Sequence, residues 1–347
     1  MKPRLHARKS AAVPWLAAAA LLLLCAQQRS SVPADALPAD FHQPRSRVGI
    51  PDAVLDRIRG ERRWAEVGRF LFFDPILSID QSVACASCHL PRQGFASEER
   101  FPTGVRGRRC KRHAPTLINR ALGEAQMWDG RAQSLEEQVL MPIVNEDEMA
   151  LPMEEALQRL RIDARYTARF QELSEDGVTQ DSVARALAAF VRSIVAGDTA
   201  VDRFRNLDDR AAMETEALAG FWIYESKGGC WRCHVGPNFS DERFHNTGIG
   251  AKDGVSEDGR FAVTGKEEDR GRFKTPTLRG LAYTAPYMHD GSIATLPEVV
   301  ELYRKGANPN SHLDPELKPL DLSDDDVRYL VAFLEALSKG NLEEICR

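Results

Sequence analysis

Apolar residues recur with helical spacing along much of the chain. Val183, Leu187, Phe190, Val191 and Ile194 fall at i, i+4, i+7, i+8 and i+11, one face of a helix that Gly197 is expected to end. Ser323 with Asp326 three residues on is a variant of the capping box, and Val327, Leu330, Val331, Leu334 and Leu337 carry a second amphipathic helix towards Gly340. Segments 52–59, 134–143, 153–173, 211–226 and 296–304 also favour helix. Stretches 90–127 and 235–290 read as Gly- and Pro-punctuated loops, and long loops inside a compact helical protein usually serve function or wrap a cofactor. No stretch sustains the alternation of a strand, so the fold class is mainly α. The boundary between two halves is expected near 200–210, giving a first domain at 48–205 and a second at 206–347.

The length of 347 residues suits about two domains. Ordinary fractions of hydrophobic (43%) and charged (28%) residues exclude wholesale disorder and a polytopic membrane protein. A net charge of −5 leaves no basic footprint, so nucleic acid is not an expected partner. Lys2, Arg4, Arg8 and Lys9 precede an uncharged, Leu- and Ala-rich stretch at 11–26, which reads as a secretory signal peptide over 1–30 and places the protein in the periplasm. Sixteen residues interrupted by Pro14 are short for a membrane anchor, and Leu24 is a poor neighbour for lipidation of Cys25, so no stable membrane insertion is expected after processing. Residues 31–47 read as an N-terminal tail.

Seven cysteines are too few for a disulfide scaffold at this length, and their spacing points elsewhere. Cys85-Ala86-Ser87-Cys88-His89 and Cys230-Trp231-Arg232-Cys233-His234 are both CxxCH, the pattern of c-type haem attachment. Two thiols three positions apart can form thioethers to the two vinyl groups of one porphyrin, and the adjacent His then reaches the iron. A single such motif also fits a redox dithiol or half a zinc site. Two of them, 145 residues apart in an exported chain, argue for one covalent c-type haem per domain, with His89 and His234 as iron ligands. Cys110 and Cys346 are left over, as a bridge or as two unpaired thiols.

Around these motifs the sequence resembles the bacterial di-haem cytochrome c peroxidase family, in its MauG-like branch. The resemblance covers roughly 64–340. It is carried by residues 68–74 (Gly-Arg-Phe-Leu-Phe-Phe-Asp) with Leu77 and Ser78, by 112–116 (Arg-His-Ala-Pro-Thr), and by 128–132 (Trp-Asp-Gly-Arg-Ala) with 134–138. Glu148-Met149, 274–279 and 285–291 (Ala-Pro-Tyr-Met-His-Asp-Gly) continue it. It implies two cytochrome c-like helical domains, the first with a peroxide-reacting haem and the second with an electron-transfer haem. Cleaving O–O requires a proton carrier beside an open iron. By resemblance Glu148 is the acid/base, Gln138 a second polar group on that face, and Trp128 the residue between the haems. Relatives often carry a blocking His where this chain has Val105, so the first haem is expected open. His113 stands where relatives often have the Asn of an inter-haem calcium site, with Thr284 and Pro286 matching the carbonyl contributors. An imidazole there weakens the case for calcium, which prefers oxygen.

For the second haem the resemblance gives Tyr303, fourteen residues beyond His289, as sixth ligand where peroxidases of the classical type place Met. A phenolate stabilises oxidised iron. Gly228 stands where the MauG-like branch has a Trp that passes oxidising equivalents to a protein; Trp231 and Trp222 are the alternatives for that role but are expected to pack against haem or core, so tryptophan-quinone synthesis is not expected. The leading expectation is an enzyme reducing hydrogen peroxide with electrons from a small cytochrome c or cupredoxin. The rivals are a MauG-like oxidation of aromatic residues in a protein substrate, and an electron carrier without catalysis, against which the open iron implied by Val105 argues.

Overall fold

Helices form where caps and apolar stripes coincide. In the computed structural model, which describes residues 47–345, the chain opens with α1 (Asp52–Gly60) and α2 (Arg62–Phe73) and then the single turn α3 (Cys85–Cys88). There follow α4 (Leu135–Gln138), α5 (Met141–Val144), α6 (Met153–Ile162), α7 (Ala164–Gln171), α8 (Gln180–Ser193) and α9 (Ala200–Leu207). The rest comprises α10 (Thr215–Glu225), β1 (Phe244–His245), α11 (Phe261–Thr264), β2 (Phe273–Lys274), α12 (Leu296–Arg304), α13 (Asp324–Ala336) and α14 (Leu342–Ile345). The mainly α architecture holds, and the sheet is one two-stranded antiparallel ribbon. The expected signal peptide, the tail up to residue 46 and Cys346 lie outside the described residues. Among those described, no helix is long and apolar enough to cross a membrane.

Caps set most boundaries. Ser323 and Thr295 form capping boxes with Asp326 and Glu298, so α13 and α12 start where the sequence places them. The helix expected over 153–173 is broken at Asp163, whose carboxylate caps a new start by accepting from Arg165 N at 2.9 Å. The one expected over 134–143 is split, with Pro142 in the first turn of α5. Gly197 does not end α8. Asn119 does so earlier, donating its backbone N to Ile194 O at 2.9 Å and exchanging side-chain bonds with Ala196 at 2.7 and 2.9 Å. The expected boundary at 200–210 holds a helix, α9, capped by Thr199 and Asp202.

Helix α2 was not among the expected helices, yet Trp64, Ala65, Gly68, Leu71 and Phe72 line its buried face. Its partner is α8. A Cβ on Gly68 would stand 1.9 Å from Ala186 O, so only glycine admits this crossing. Helices α10 and α13 cross in the same way, with Gly220 against Tyr329 O at the same 1.9 Å. Aromatic rings fill both crossings: Phe72 lies 4.9 Å from Phe190 and 6.1 Å from Phe95, and Tyr224 lies 4.9 Å from Phe333 and 6.3 Å from Phe239.

Candidate functional site

Each CxxCH motif ends in a histidine whose ring is oriented by carbonyls. His89 Nδ1 meets Phe95 O at 3.0 Å and Pro115 O at 3.1 Å. His234 Nδ1 meets Phe239 O at 3.0 Å, with the Pro276 backbone as its second partner. A carbonyl only accepts, so Nδ1 carries the proton and Nε2 keeps a free lone pair. Burial pushes His89 down to about 4 and His234 below the usual imidazole range, which keeps both neutral. Neutral imidazoles with Nδ1 tied and Nε2 free, each following two thiols, fit an iron ligand of c-type haem. The supporting loops match as well. Thr116 Oγ1 donates to Gly94 O at 2.6 Å and accepts from Ile118 N at 3.1 Å; Thr277 Oγ1 donates to Asn238 O at 2.7 Å and accepts from Arg279 N at 3.1 Å. Sequence reasoning missed these holders, although Pro-Thr-Leu at 115–117 and again at 276–278 was their signal.

Beside the first motif stands Glu148. Burial, followed by the charge of Glu148, pushes the Cys85 thiol up to about 12, and the Cys110 thiol, burial and Glu148 raise Cys88. The carboxyl therefore lies within electrostatic reach of both attachment thiols. Burial holds Glu148 above the usual carboxylate range even though Asn145 Nδ2 donates to its Oε1 at 2.6 Å. Val105 is fully buried next to it, its N donating to Glu148 O at 2.8 Å. Gln138 closes α4 half-buried, and its side chain has no hydrogen bond among the described residues. Cys110 carries a free thiol 3.8 Å from Asp147 O.

Trp128 is fastened to segments from both sides of the chain. Its Nε1 donates to His113 O at 2.8 Å, its O accepts from Lys274 N at 2.8 Å, and its ring meets His289 edge-on at 6.3 Å. His113 is buried, with Nδ1 3.1 Å from Glu99 O and its backbone N donating to His289 O at 2.9 Å. Thr284 is buried and Pro286 half-buried.

Tyr303, on α12, faces the second motif. Burial and then the Cys233 and Cys230 thiols push its hydroxyl up to about 12. Asn238, four residues after His234, is buried with both side-chain amide atoms unpartnered among the described residues, as befits a wall awaiting a polar group that the polypeptide does not supply. Trp222 and Trp231 are 57% and 43% exposed, so neither packs into the polypeptide core, although the Trp222 ring meets Phe221 at 5.3 Å. At Gly228 a Cβ would stand 2.7 Å from Ile223 O, so a larger residue there requires the backbone to shift.

Two histidines presented in this way, each behind a cysteine pair on a duplicated helical scaffold, define a di-haem cytochrome-like protein. The chain belongs to the di-haem cytochrome c peroxidase family, whose model matches residues 62–210. It is 38% identical over 304 residues to the methylamine utilization protein MauG of Methylorubrum extorquens, covering 87% of this chain and 84% of that one. It is 34% identical to the cytochrome c551 peroxidase of Nitrosomonas europaea, with 79% of each chain covered. Among solved structures it is similar to a MauG-like protein associated with microbial copper homeostasis, at a TM-score of 0.73 and 28% identity over 81% of this chain and 90% of that one.

Proposed function

We propose that the chain is a periplasmic di-haem peroxidase that reduces hydrogen peroxide to water, with electrons from a small cytochrome c or cupredoxin. Residues 48–205 hold the peroxide-reacting haem on Cys85, Cys88 and His89, and residues 206–347 hold the electron-transfer haem on Cys230, Cys233 and His234. The observation that carries this reading is the raised carboxyl of Glu148 beside the first attachment thiols, with aliphatic Val105 alongside. Haem iron, when bound, supplies the electrons that break the O–O bond. Glu148 takes the proton from one peroxide oxygen and delivers it to the departing one, Asn145 holds the carboxyl in place, and Gln138 orients the peroxide. Trp128, bonded to both halves, relays electrons between the haems.

Calcium fits less well. Thr284 and Pro286 offer two carbonyl oxygens, but the His113 side chain brings a nitrogen already bonded to Glu99 O, which leaves water to complete the six to eight ligands that Ca²⁺ takes. Tyr303, buried against the second pair of attachment thiols, supports a second reading, a MauG-like oxidation of a protein substrate: its hydroxyl is a neutral phenol in the free polypeptide, and bound to iron as phenolate it would suit a haem that shares oxidising equivalents.

Two experiments test the proposal. Mass spectrometry of the exported chain should show two haems added, and a chain with fewer overturns it. Turnover of peroxide with reduced cytochrome c or cupredoxin, set against turnover with a candidate protein substrate, separates the two readings.

A further inference from the structure

Asp241 and His245 have no role assigned above, yet their ligand atoms and the Sγ of the attachment cysteine Cys233 fall within 4.8 Å of one another. His245, on β1, is gripped from both ends: Nδ1 meets Asp314 Oδ2 at 2.6 Å and Nε2 meets Asp241 Oδ2 at 3.0 Å. A carboxylate only accepts, so each ring nitrogen carries a proton and His245 is held as the imidazolium. Both bonds are therefore charge-assisted, the strong kind.

The two carboxylates belong to different parts of the second site. Asp241 N donates to Cys233 O at 2.7 Å, so Asp241 is part of the attachment loop. Asp314 lies on the segment returning from α12, the helix that carries Tyr303, and its N donates to Asn246 O at 3.0 Å. The same segment is tied down on either side. Asn308 N donates to Thr247 O at 3.2 Å, and Glu316 accepts from Arg232, inside the CxxCH motif, at 2.7 Å. The segment is thus a strap laid across the haem-attachment loop, and His245 is its only link that bridges two carboxylates among the described residues.

We propose that His245 is a positioning residue of the second haem site: clamped between Asp241 and Asp314, it locks the strap after α12 onto the Cys233 loop and holds Tyr303 at the haem. Metal-site ligands are commonly oriented in this way by hydrogen-bonded neighbours, and loosening such partners alters the metal's environment without touching its ligands. The inference rests on Cys233 being a haem-attachment cysteine.

The test compares Asp314→Asn, which keeps an acceptor for His245, with Asp314→Ala, which keeps none, in the full-length chain matured with haem. Two haems are first counted by mass. Electron paramagnetic resonance and the reduction potential of the second haem are then read at fixed pH. Asp314→Ala should shift the second haem's signal and potential, Asp314→Asn should restore both towards wild type, and the first haem's signal should stay unchanged. If Asp314→Ala does not mature, His245→Gln, which retains one bond, carries the same comparison. A second-haem signal and potential identical to wild type in Asp314→Ala, even with lowered stability, overturns the clamp alone. A wild-type chain that loads no haem on Cys230 and Cys233 overturns the haem reading and the clamp with it.

Discussion

Around His89 and His234 the chain builds one scaffold twice and finishes it differently. Gly68, Phe72, Phe95, Phe190, Pro115 and Thr116 have their counterparts in Gly220, Tyr224, Phe239, Phe333, Pro276 and Thr277, with matching crossings, ring contacts and carbonyl holders. Both Phe95 and Phe239 adopt positive φ, 56° and 51°, to turn their carbonyls onto the imidazole. The halves part on the other side of each motif. The first presents a carboxyl that can carry a proton, Glu148, and the second a buried hydroxyl, Tyr303, on the helix that leads into the segment bonded to His245. Shared residues thus hold the histidine, and in the proposed reading the unshared ones set the chemistry at each iron.

The sharpest way to break that division is to remove the proton carrier. Glu148→Gln should slow peroxide cleavage by about 10²–10⁴-fold, the usual worth of general acid–base catalysis, while both haems still load. Because burial raises the Glu148 carboxyl above the ordinary ~4.3, its proton-accepting form fills as pH rises through that raised value. The wild-type cleavage rate should climb with pH across that range and the variant should lack the climb. Stopped-flow traces of peroxide mixed with the oxidised enzyme report both effects, and unchanged kinetics in a fully loaded variant would remove Glu148 from the chemistry.

How legible this asymmetry is in the sequence depends on the kind of signal each part leaves. The CxxCH motifs and the caps Ser323 and Thr295 are local, so their elements form where the sequence puts them. Helix α8 ends by a bond from Asn119, 75 residues away from Ile194, and no local breaker marks that point. Trp222 and Trp231 look like core residues by type, but both lie exposed on the polypeptide surface. The clamp joins positions 241, 245 and 314, and a partner that distant leaves no periodic trace.

A second difference between the halves lies two positions after the shared threonine. Beyond Thr116 that place is held by Ile118, but beyond Thr277 by Arg279, whose fully buried guanidinium meets Asp202 at 2.7 and 2.8 Å and Pro237 O at 2.8 Å. Asp202 also caps α9, so one carboxylate serves helix and ion pair together. Asp202→Ala strands a buried cation and should cost about 3–5 kcal/mol, read as a lowered urea midpoint. A loss under about 1 kcal/mol would mean that Arg279 finds water or another partner.

The glycine crossings test whether the two scaffolds are equally tight. Gly68→Ala and Gly220→Ala each set a methyl 1.9 Å from a backbone oxygen and should each cost about 1–3 kcal/mol through forced separation of the helices. Similar losses support one scaffold used twice. A tolerated substitution at one site alone would show that its helix pair can slide apart.

The smallest effect is expected where the ring cores differ by one atom. Tyr224 has Phe72 as its counterpart, and its extra hydroxyl donates to His234 O, a bond with no equivalent in the first half among the described residues. Burial raises that phenol above its usual range, so it remains a donor at any ordinary pH. Tyr224→Phe removes the donor and should cost about 0.5–1.5 kcal/mol, roughly 1–4 °C in the unfolding midpoint. Because the bond ends on the backbone of His234, the proposed ligand of the second iron, the optical spectrum of that haem should shift slightly while the first haem's stays unchanged. The converse change, Phe72→Tyr, buries a hydroxyl for which the first half has no matching bond and should destabilise the chain. If Tyr224→Phe leaves both the midpoint and the second haem's spectrum untouched, the hydroxyl is incidental and the two ring cores are interchangeable.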